Sequence, residues 1–200
     1  MIIIGAEHDA VQLCLLASFH GWEVTVISSI KDPKTISDFA GAKKVIACEP
    51  NEFNTLQIDN QTAVVLMTHN FAKDFSFLMI LAKLSLNYVG LLGPAKRREQ
   101  IIEQLLAKQP DLELTFLERL YGPSGLNIGA ETPQEIATSI IAEILAVTRK
   151  TTPKSLAPPL YVNPYNLLFT SKTFIGKAPV VPSKWCTTLY SLVKGSISKI

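Results

Sequence analysis

The feature that most constrains the fold of this chain is a series of short apolar runs that alternate with helical patterns. Ile2–Ile4 and Ala63–Met67 are apolar at every position. Such strands are buried on both faces, as in a parallel sheet covered by helices on either side. The longer segments between such runs, for example Ala95–Lys108, have the apolar spacing of amphipathic helices. The sequence therefore predicts an α/β fold, with a doubly wound parallel sheet and helices on both faces.

Five strands and five helices can be placed along residues 1–150. The predicted strands are Ile2–Ile4, Glu23–Ile27, Lys44–Ala47, Ala63–Met67 and Asn87–Leu91, and the predicted helices are Asp9–His20, Lys34–Phe39, Phe71–Leu86, Ala95–Lys108 and one that begins at Thr132. This last helix has a capping box, because Thr132 is followed by proline at the first helical position and by Glu135 at the third. The expected strand order is 3-2-1-4-5, as in doubly wound sheets.

Composition divides the chain near residue 150. All 17 acidic residues precede this point, whereas residues 151–200 contain six lysines, no acid and six of the 12 prolines. We therefore expect one α/β domain over residues 1–150, followed by an irregular, Pro-rich basic tail over 151–200. The net charge of +2 comes from this tail, so it gives no reason to expect a nucleic-acid partner.

The cysteines and the hydropathy pattern indicate a cellular compartment. Cys14, Cys48 and Cys186 are scattered, without the paired spacing of a disulfide framework or a metal site. No apolar stretch reaches the length that spans a bilayer. The sequence predicts a cytoplasmic protein without a membrane partner and without a bound metal ion of its own.

The loop after the first strand resembles a phosphate-binding turn, but it lacks two features of a dinucleotide site. Gly5 follows the strand, and Glu7 then brings a side chain and a negative charge to a position where the fingerprint requires glycine. At the end of the second strand, the acid that binds ribose hydroxyls is replaced by Ser28 or Ser29, and Asp32 lies beyond the strand. High-affinity NAD binding is therefore not expected.

The loop after the fifth strand, LLGPAKRREQ, is a candidate anion site. Pro94 marks the start of a helix, so Lys96, Arg97 and Arg98 fall in or near its first turn. The helix dipole disfavours cations there by roughly 0.3–1 kcal/mol each. The three charges either receive an anion or simply pair in solvent with glutamates of the same helix, and the sequence leaves both readings open.

The loop after the fourth strand contains polar groups that could contact a ligand. Thr68 and His69 could bind or protonate a polar molecule, and Asp74 could orient the imidazole. Alternatively, Thr68 or Asn70 caps the next helix and Asp74 stabilises its first turn. His69 is the stronger functional candidate.

Three longer stretches carry a resemblance to a known family. They are MTHNFAKD at 67–74, YVGLLGPAKRRE at 88–99 and YGPSGLNIGAETPQEIATSIIAEI at 121–144. With them, residues 2–149 resemble the Rossmann-like C-terminal domain of the xanthine dehydrogenase accessory protein family (XdhC/CoxI). Members of this family usually have a further N-terminal domain with a cysteine-containing stretch. They also usually have glycine at position 7 and an acid near position 28, and residues 151–200 match no part of the family pattern.

The resemblance implies an accessory protein or chaperone rather than an enzyme of metabolite turnover. Its cargo would be the molybdenum cofactor (molybdopterin), which such proteins bind and help to sulfurate and insert. The implied partners are xanthine dehydrogenase or a related molybdenum hydroxylase and a cysteine desulfurase. The expected cofactor-binding residues are Gly5, Thr68, His69, Gly93, Lys96, Arg97, Arg98 and Gly129. The alternatives are an NAD(P)-dependent oxidoreductase and a degenerate, inactive fragment.

Overall fold

The computed structural model describes residues 1–55 and 58–156, and Met1–Pro153 form one compact unit. Its strands are β1 (Ile2–Ile4), β2 (Thr25–Ser28), β3 (Lys44–Ala47), β4 (Ala63–Leu66), β5 (Tyr88–Leu91) and β6 (Leu120–Tyr121). Its helices are α1 (His8–Phe19), α2 (Phe71–Leu81), α3 (Ala95–Lys108), α4 (Leu114–Glu118) and α5 (Pro133–Thr148). The predicted irregular tail lies almost entirely outside the described residues.

The strands form one six-stranded parallel sheet in the order β3-β2-β1-β4-β5-β6. The predicted order is therefore confirmed, and β6 extends the sheet beyond β5. Strand β1 pairs with both β2 and β4, with Ile3 opposite Val26 on one side and Val65 on the other. The chain thus changes direction across the sheet at the β1–β4 boundary. The carboxyl ends of β1 and β4 flank the position where doubly wound sheets bind ligands.

Alternate residues of the central strands enter two separate hydrophobic layers, as side chains of a strand point to opposite faces. Ile3 and Val65 pack in a cluster with α1 and α5 residues such as Leu13 and Ile140. Ile4 and Leu66 belong to a second cluster, which includes residues of α2 and α3. This division confirms that helices cover both faces of the sheet.

The structure differs from the sequence prediction where elements are short. The helix predicted over Phe71–Leu86 ends at Leu81, because the following amides form the tighter i→i+3 bonds of a helix end. The helix predicted over Lys34–Phe39 is reduced to a single 3-10 turn at Ile36–Asp38. The sequence did not predict α4 or β6, with five and two residues, because neither is long enough to establish a periodicity.

Candidate functional site

A groove of about 600 Å3 lies at the carboxyl edge of the sheet. Its walls come from α1, the loops after β4 and β5, the segment after β6, and the start of α5. The groove is lined by Asp9, His69, Leu92, Gly93, residues 123–130, Ile136 and Ser139. Of the predicted site residues, the groove therefore brings together His69, Gly93 and Gly129.

His69 and Asp9 form a pair at one end of the groove. The imidazole Nε2 lies 3.5 Å from Asp9 Oδ2, and about half of the His69 side chain is exposed. The backbone of His69 has a φ of 52°, in the left-handed region that non-glycine residues rarely occupy. Strained residues of this kind cluster at functional sites, where the surrounding structure holds them in place. The pair offers a carboxylate acceptor and an imidazole to a molecule in the groove.

A polar network fixes the part of the groove wall that Ser124 and Gly125 form. The Tyr88 hydroxyl donates to Glu143 Oε2 at 2.6 Å and lies 2.8 Å from Ser124 Oγ, and the Gly125 amide donates to the same Glu143 oxygen at 2.9 Å. Burial raises the pKa of Tyr88 well above its usual value of 10.0, and the negative charge of Glu143 raises it further. Because Tyr88 belongs to β5 and Glu143 to α5, these contacts attach Ser124 and Gly125 to two regular elements.

Arg97 points into the protein rather than toward free solvent. Its Nη2 group donates to Asp74 Oδ2, and the Asp74 side chain is 1% exposed. The other carboxylate oxygen of Asp74 accepts a hydrogen bond of 2.5 Å from Thr68 Oγ1. Asp74 therefore contacts Thr68 and Arg97, whereas the carboxylate beside His69 is that of Asp9. Asn70 caps α2 by accepting a bond from the Lys73 amide, as one of the two sequence readings predicts.

The other two cations of this helix start have different surroundings. Arg98 Nε donates to the carbonyl oxygen of Leu120 at 3.2 Å, and the Arg98 side chain is partly buried. Lys96 is exposed. Pro94 is the N-cap residue of α3, and its side chain makes no capping hydrogen bond to the first turn. A role for Lys96, Arg97 and Arg98 in anion binding stays a prediction.

A smaller cleft of about 190 Å3 lies on the other side of the β1–β4 boundary. It is lined by residues that include Gly5, Glu7, Ser28, Ser29, Asp32, Glu49, Thr68 and Lys73. Asp32 reaches the cleft because a bridge between Ser29 and Asp32 turns the chain back, but its carboxylate pairs with Lys34 at 2.8 Å. Two predicted site residues, Gly5 and Thr68, therefore line this cleft instead of the groove.

Gly5 has a packing role that requires no ligand. Its φ is +127°, and a Cβ atom at this position would lie 2.4 Å from the carbonyl oxygen of Met67. Real Cβ atoms essentially never approach backbone this closely. Gly5 is thus required where the ends of β1 and β4 pass each other, whatever the cleft binds.

Sequence reasoning missed Asp9, Glu143 and the wall residues from Pro123 to Asn127. Asp9 had a usable signal, because an acid in the first turn of α1 lies at the same sheet edge as His69. The role of Glu143 had none, since a glutamate on an amphipathic helix is normally solvated. Its contact with Tyr88 joins residues 55 positions apart.

Residues 1–55 and 58–156 contain neither a metal-binding cluster nor a membrane-spanning helix. Over 1–55 and 58–156, no group of three or more His, Cys, Asp or Glu side chains is arranged to hold a metal ion. In the same ranges, no helix has the combined length and apolar character needed to cross a membrane.

The sheet order defines a Rossmann-type domain, and the groove lies at the edge where ligands bind in doubly wound folds. Comparison with family models then identifies its family, since residues 1–144 match the model described as the XdhC Rossmann domain. The chain belongs to this family, as the three stretches at 67–74, 88–99 and 121–144 predict.

Two named proteins are similar in sequence to this chain, and both are longer than it. A probable xanthine dehydrogenase subunit from Bacillus subtilis (strain 168) is 35% identical over 151 residues, covering 75% of this chain and 43% of that protein. The uncharacterized protein YqeB of Escherichia coli (strain K12) is 30% identical over 149 residues, covering 74% of this chain and 27% of that protein.

One solved structure supports the same assignment. A crystal structure described as a xanthine dehydrogenase from Bacillus halodurans has 32% sequence identity and a TM-score of 0.64, covering 79% of this chain and 44% of that chain. This chain thus spans less than half of the length of each of these relatives.

Proposed function

We propose that this domain serves the maturation of xanthine dehydrogenase-type molybdenum hydroxylases by binding the molybdenum cofactor in the groove. In this role it is an accessory protein or chaperone that assists sulfuration of the cofactor and its insertion into the hydroxylase. The partners are that hydroxylase and a cysteine desulfurase that supplies sulfur. The protein acts on a cargo molecule, and turnover of a metabolite is not part of the proposal.

The observation that carries the proposal is a convergence in space. The three stretches typical of the family, 67–74, 88–99 and 121–144, supply every residue that lines the groove except Asp9. These stretches are distant in sequence and meet only at the carboxyl edge of the sheet. Since ligands of doubly wound folds bind at this edge, the family-specific residues surround the place where a ligand is expected.

The chemistry of the groove suits a pterin. Its surface is mainly apolar, with Leu92, Ile128 and Ile136 among its lining residues, and it has the volume of a small-molecule site. Asp9 can accept hydrogen bonds from ring N–H and amino groups, because a carboxylate has only acceptors. His69 lies beside it as a second polar group. The phosphate of the cofactor would be received by Lys96 and the first turn of α3, where Pro94 provides no side-chain cap.

The test is to purify the full chain from cells that make the cofactor and to measure what it retains. We expect molybdenum by mass spectrometry and pterin fluorescence after oxidation, in a fixed ratio to protein. Ile128→Asp introduces a charge into the groove at a side chain that is 55% exposed, and should reduce both signals at least tenfold. Leu114→Asp is the matched control, because Leu114 is also exposed (70%) and does not line the groove.

The purification also tests the partner. A molybdenum hydroxylase should co-purify with the wild-type chain, and this association should survive Leu114→Asp. Wild-type protein without molybdenum, pterin or hydroxylase would contradict the proposal. Equal retention by the two aspartate variants would place the cofactor outside the groove.

An NAD(P)-dependent oxidoreductase is the second candidate, favoured by one observation. Asp32 lies in the cleft with Gly5, so an acid is present near the ribose position after all. The carboxylate of Glu7 in the same cleft disfavours a pyrophosphate. Calorimetric titration with NADH and NADPH separates the candidates, because saturable micromolar binding would favour the oxidoreductase.

A further inference from the structure

We propose that Arg97 is a positioning residue for His69 and is not itself the receptor of an anion. The Arg97–Asp74 ion pair holds Thr68, and Thr68 holds the turn in which His69 adopts its left-handed conformation. This inference deepens the proposed function, on which it rests, because it has Arg97 position a residue that lines the same groove.

The first step is that the Arg97 guanidinium is already paired with a carboxylate. The guanidinium pairs with a carboxylate that is almost completely buried, and the Arg97 side chain itself is 18% exposed. A buried carboxylate without its partner is destabilised, so the pair persists as a unit. Gly93 leaves room for this arrangement, since a Cβ there would lie 3.1 Å from Arg97 Cδ.

The second step leads from Asp74 to the His69 turn. Thr68 Oγ1 donates its single proton to Asp74 Oδ1 at 2.5 Å and accepts the Asn70 amide at 3.1 Å. The hydroxyl therefore links the buried carboxylate to the backbone on the far side of His69. With both neighbours of His69 fixed in this way, its backbone remains at a φ of 52° and its imidazole lies beside Asp9.

One feature favours a direct anion role instead. The Nε group of Arg97 is buried and has no hydrogen-bond partner among the described residues, so the guanidinium retains a donor. The two roles make opposite predictions for Asp74→Asn. If Arg97 receives an anion, removal of the Asp74 charge should make the chain bind phosphate more tightly. If Arg97 is a positioning residue, the same change should weaken its effect on Thr68 without tightening phosphate binding.

The experiment records imidazole ¹H–¹³C spectra of the ligand-free full chain. The sequence has three histidines, His8, His20 and His69, and His69→Gln assigns the third signal. His20 at the end of α1 is the internal reference. We expect Arg97→Gln, Asp74→Asn and Thr68→Val each to shift the His69 signal and leave that of His20 unchanged. Thr68→Ser retains the hydroxyl and should restore the wild-type position.

Two further variants make the outcome decisive. Lys108→Gln removes a cation from the opposite end of α3 and should leave the His69 signal in place. The Arg97→Gln/Asp74→Asn double variant should shift it no further than either single change, since the three groups act as one chain. If Arg97→Gln does not fold, Thr68→Val still tests the link, because it leaves the ion pair intact.

An unchanged His69 signal in folded Thr68→Val would overturn the proposal. Phosphate titration is the second arm, with inorganic phosphate as the probe. Tenfold tighter binding by Asp74→Asn would overturn it too, whereas unchanged or weaker binding supports it. Because the His69 readout needs no cofactor, this inference can fail while cofactor retention stands, or hold while cofactor retention fails.

Discussion

Replacing Gly5 by alanine should strongly destabilise the domain, even without any ligand. The new Cβ would lie 2.4 Å from Met67 O and 2.9 Å from Thr68 N, and these are backbone atoms of the adjoining strand end that cannot rotate away. Overpacking of this kind costs about 1–3 kcal/mol. The φ of +127° adds a strain of about 1–3 kcal/mol for a residue with a side chain.

Gly21→Ala is the matched control. Gly21 also has a positive φ, +80°, but a Cβ there would meet nothing within 4 Å. This variant should therefore lose only the conformational contribution, about 1–2 kcal/mol. The difference between the two variants reports mainly the close approach of β1 and β4, and we expect it to be about 2 kcal/mol, the middle of the range for overpacking.

Urea unfolding followed by circular dichroism measures both changes. For a domain of this size the denaturant slope is about 1–3 kcal/mol per molar urea, so the Gly5→Ala midpoint should fall roughly 1 M below that of Gly21→Ala. Equal midpoints would refute the reasoning. Gly5 would then be needed for something other than packing.

Three other experiments have defined outcomes. The pKa of Tyr88 is raised in the folded protein. Its contribution to stability is therefore complete below the unfolded pKa of about 10 and is lost as the pH rises above that value. In Tyr88→Phe, the urea midpoint should decrease less between about pH 8 and pH 11 than it does in the wild type. Thr132→Ala removes the cap that accepts the Glu135 amide and should cost about 1 kcal/mol in thermal unfolding, whereas Thr132→Ser should retain most of it. Burial raises the pKa of the Cys14 thiol to about 11, so peptide mapping should find it unmodified by iodoacetamide at about pH 8 until urea unfolds the chain, and rapid native labelling would contradict this burial.

The sheet was predictable because most of its strands can be identified from their own residues alone. Ile2–Ile4 and Ala63–Leu66 are apolar at each position, and a run of this kind indicates a strand buried on both faces without reference to the rest of the chain. The cap at Thr132 is equally local. By contrast, β6 has two residues and depends on pairing with Val89 and Gly90, which no periodicity records.

The site was predictable only in part, for the same reason. That His69 lies at the ligand edge follows from its place directly after a strand. The contact between His69 and Asp9 could not be predicted in this way, since Asp9 is 60 residues away and Asp74 is the nearer carboxylate in sequence. The pairing of Arg97 with Asp74 depends on the rotation of α2 and α3 about their axes, which charge counts do not contain.

The residues that line the groove come from both ends of the compact unit's sequence, since Asp9 and Ser139 are among them. During synthesis, the first of these residues leaves the ribosome long before the second. The groove of a nascent chain is therefore incomplete until α5 has emerged and packed against α1. If the groove binds the cofactor as we propose, cargo can be captured only by a finished domain.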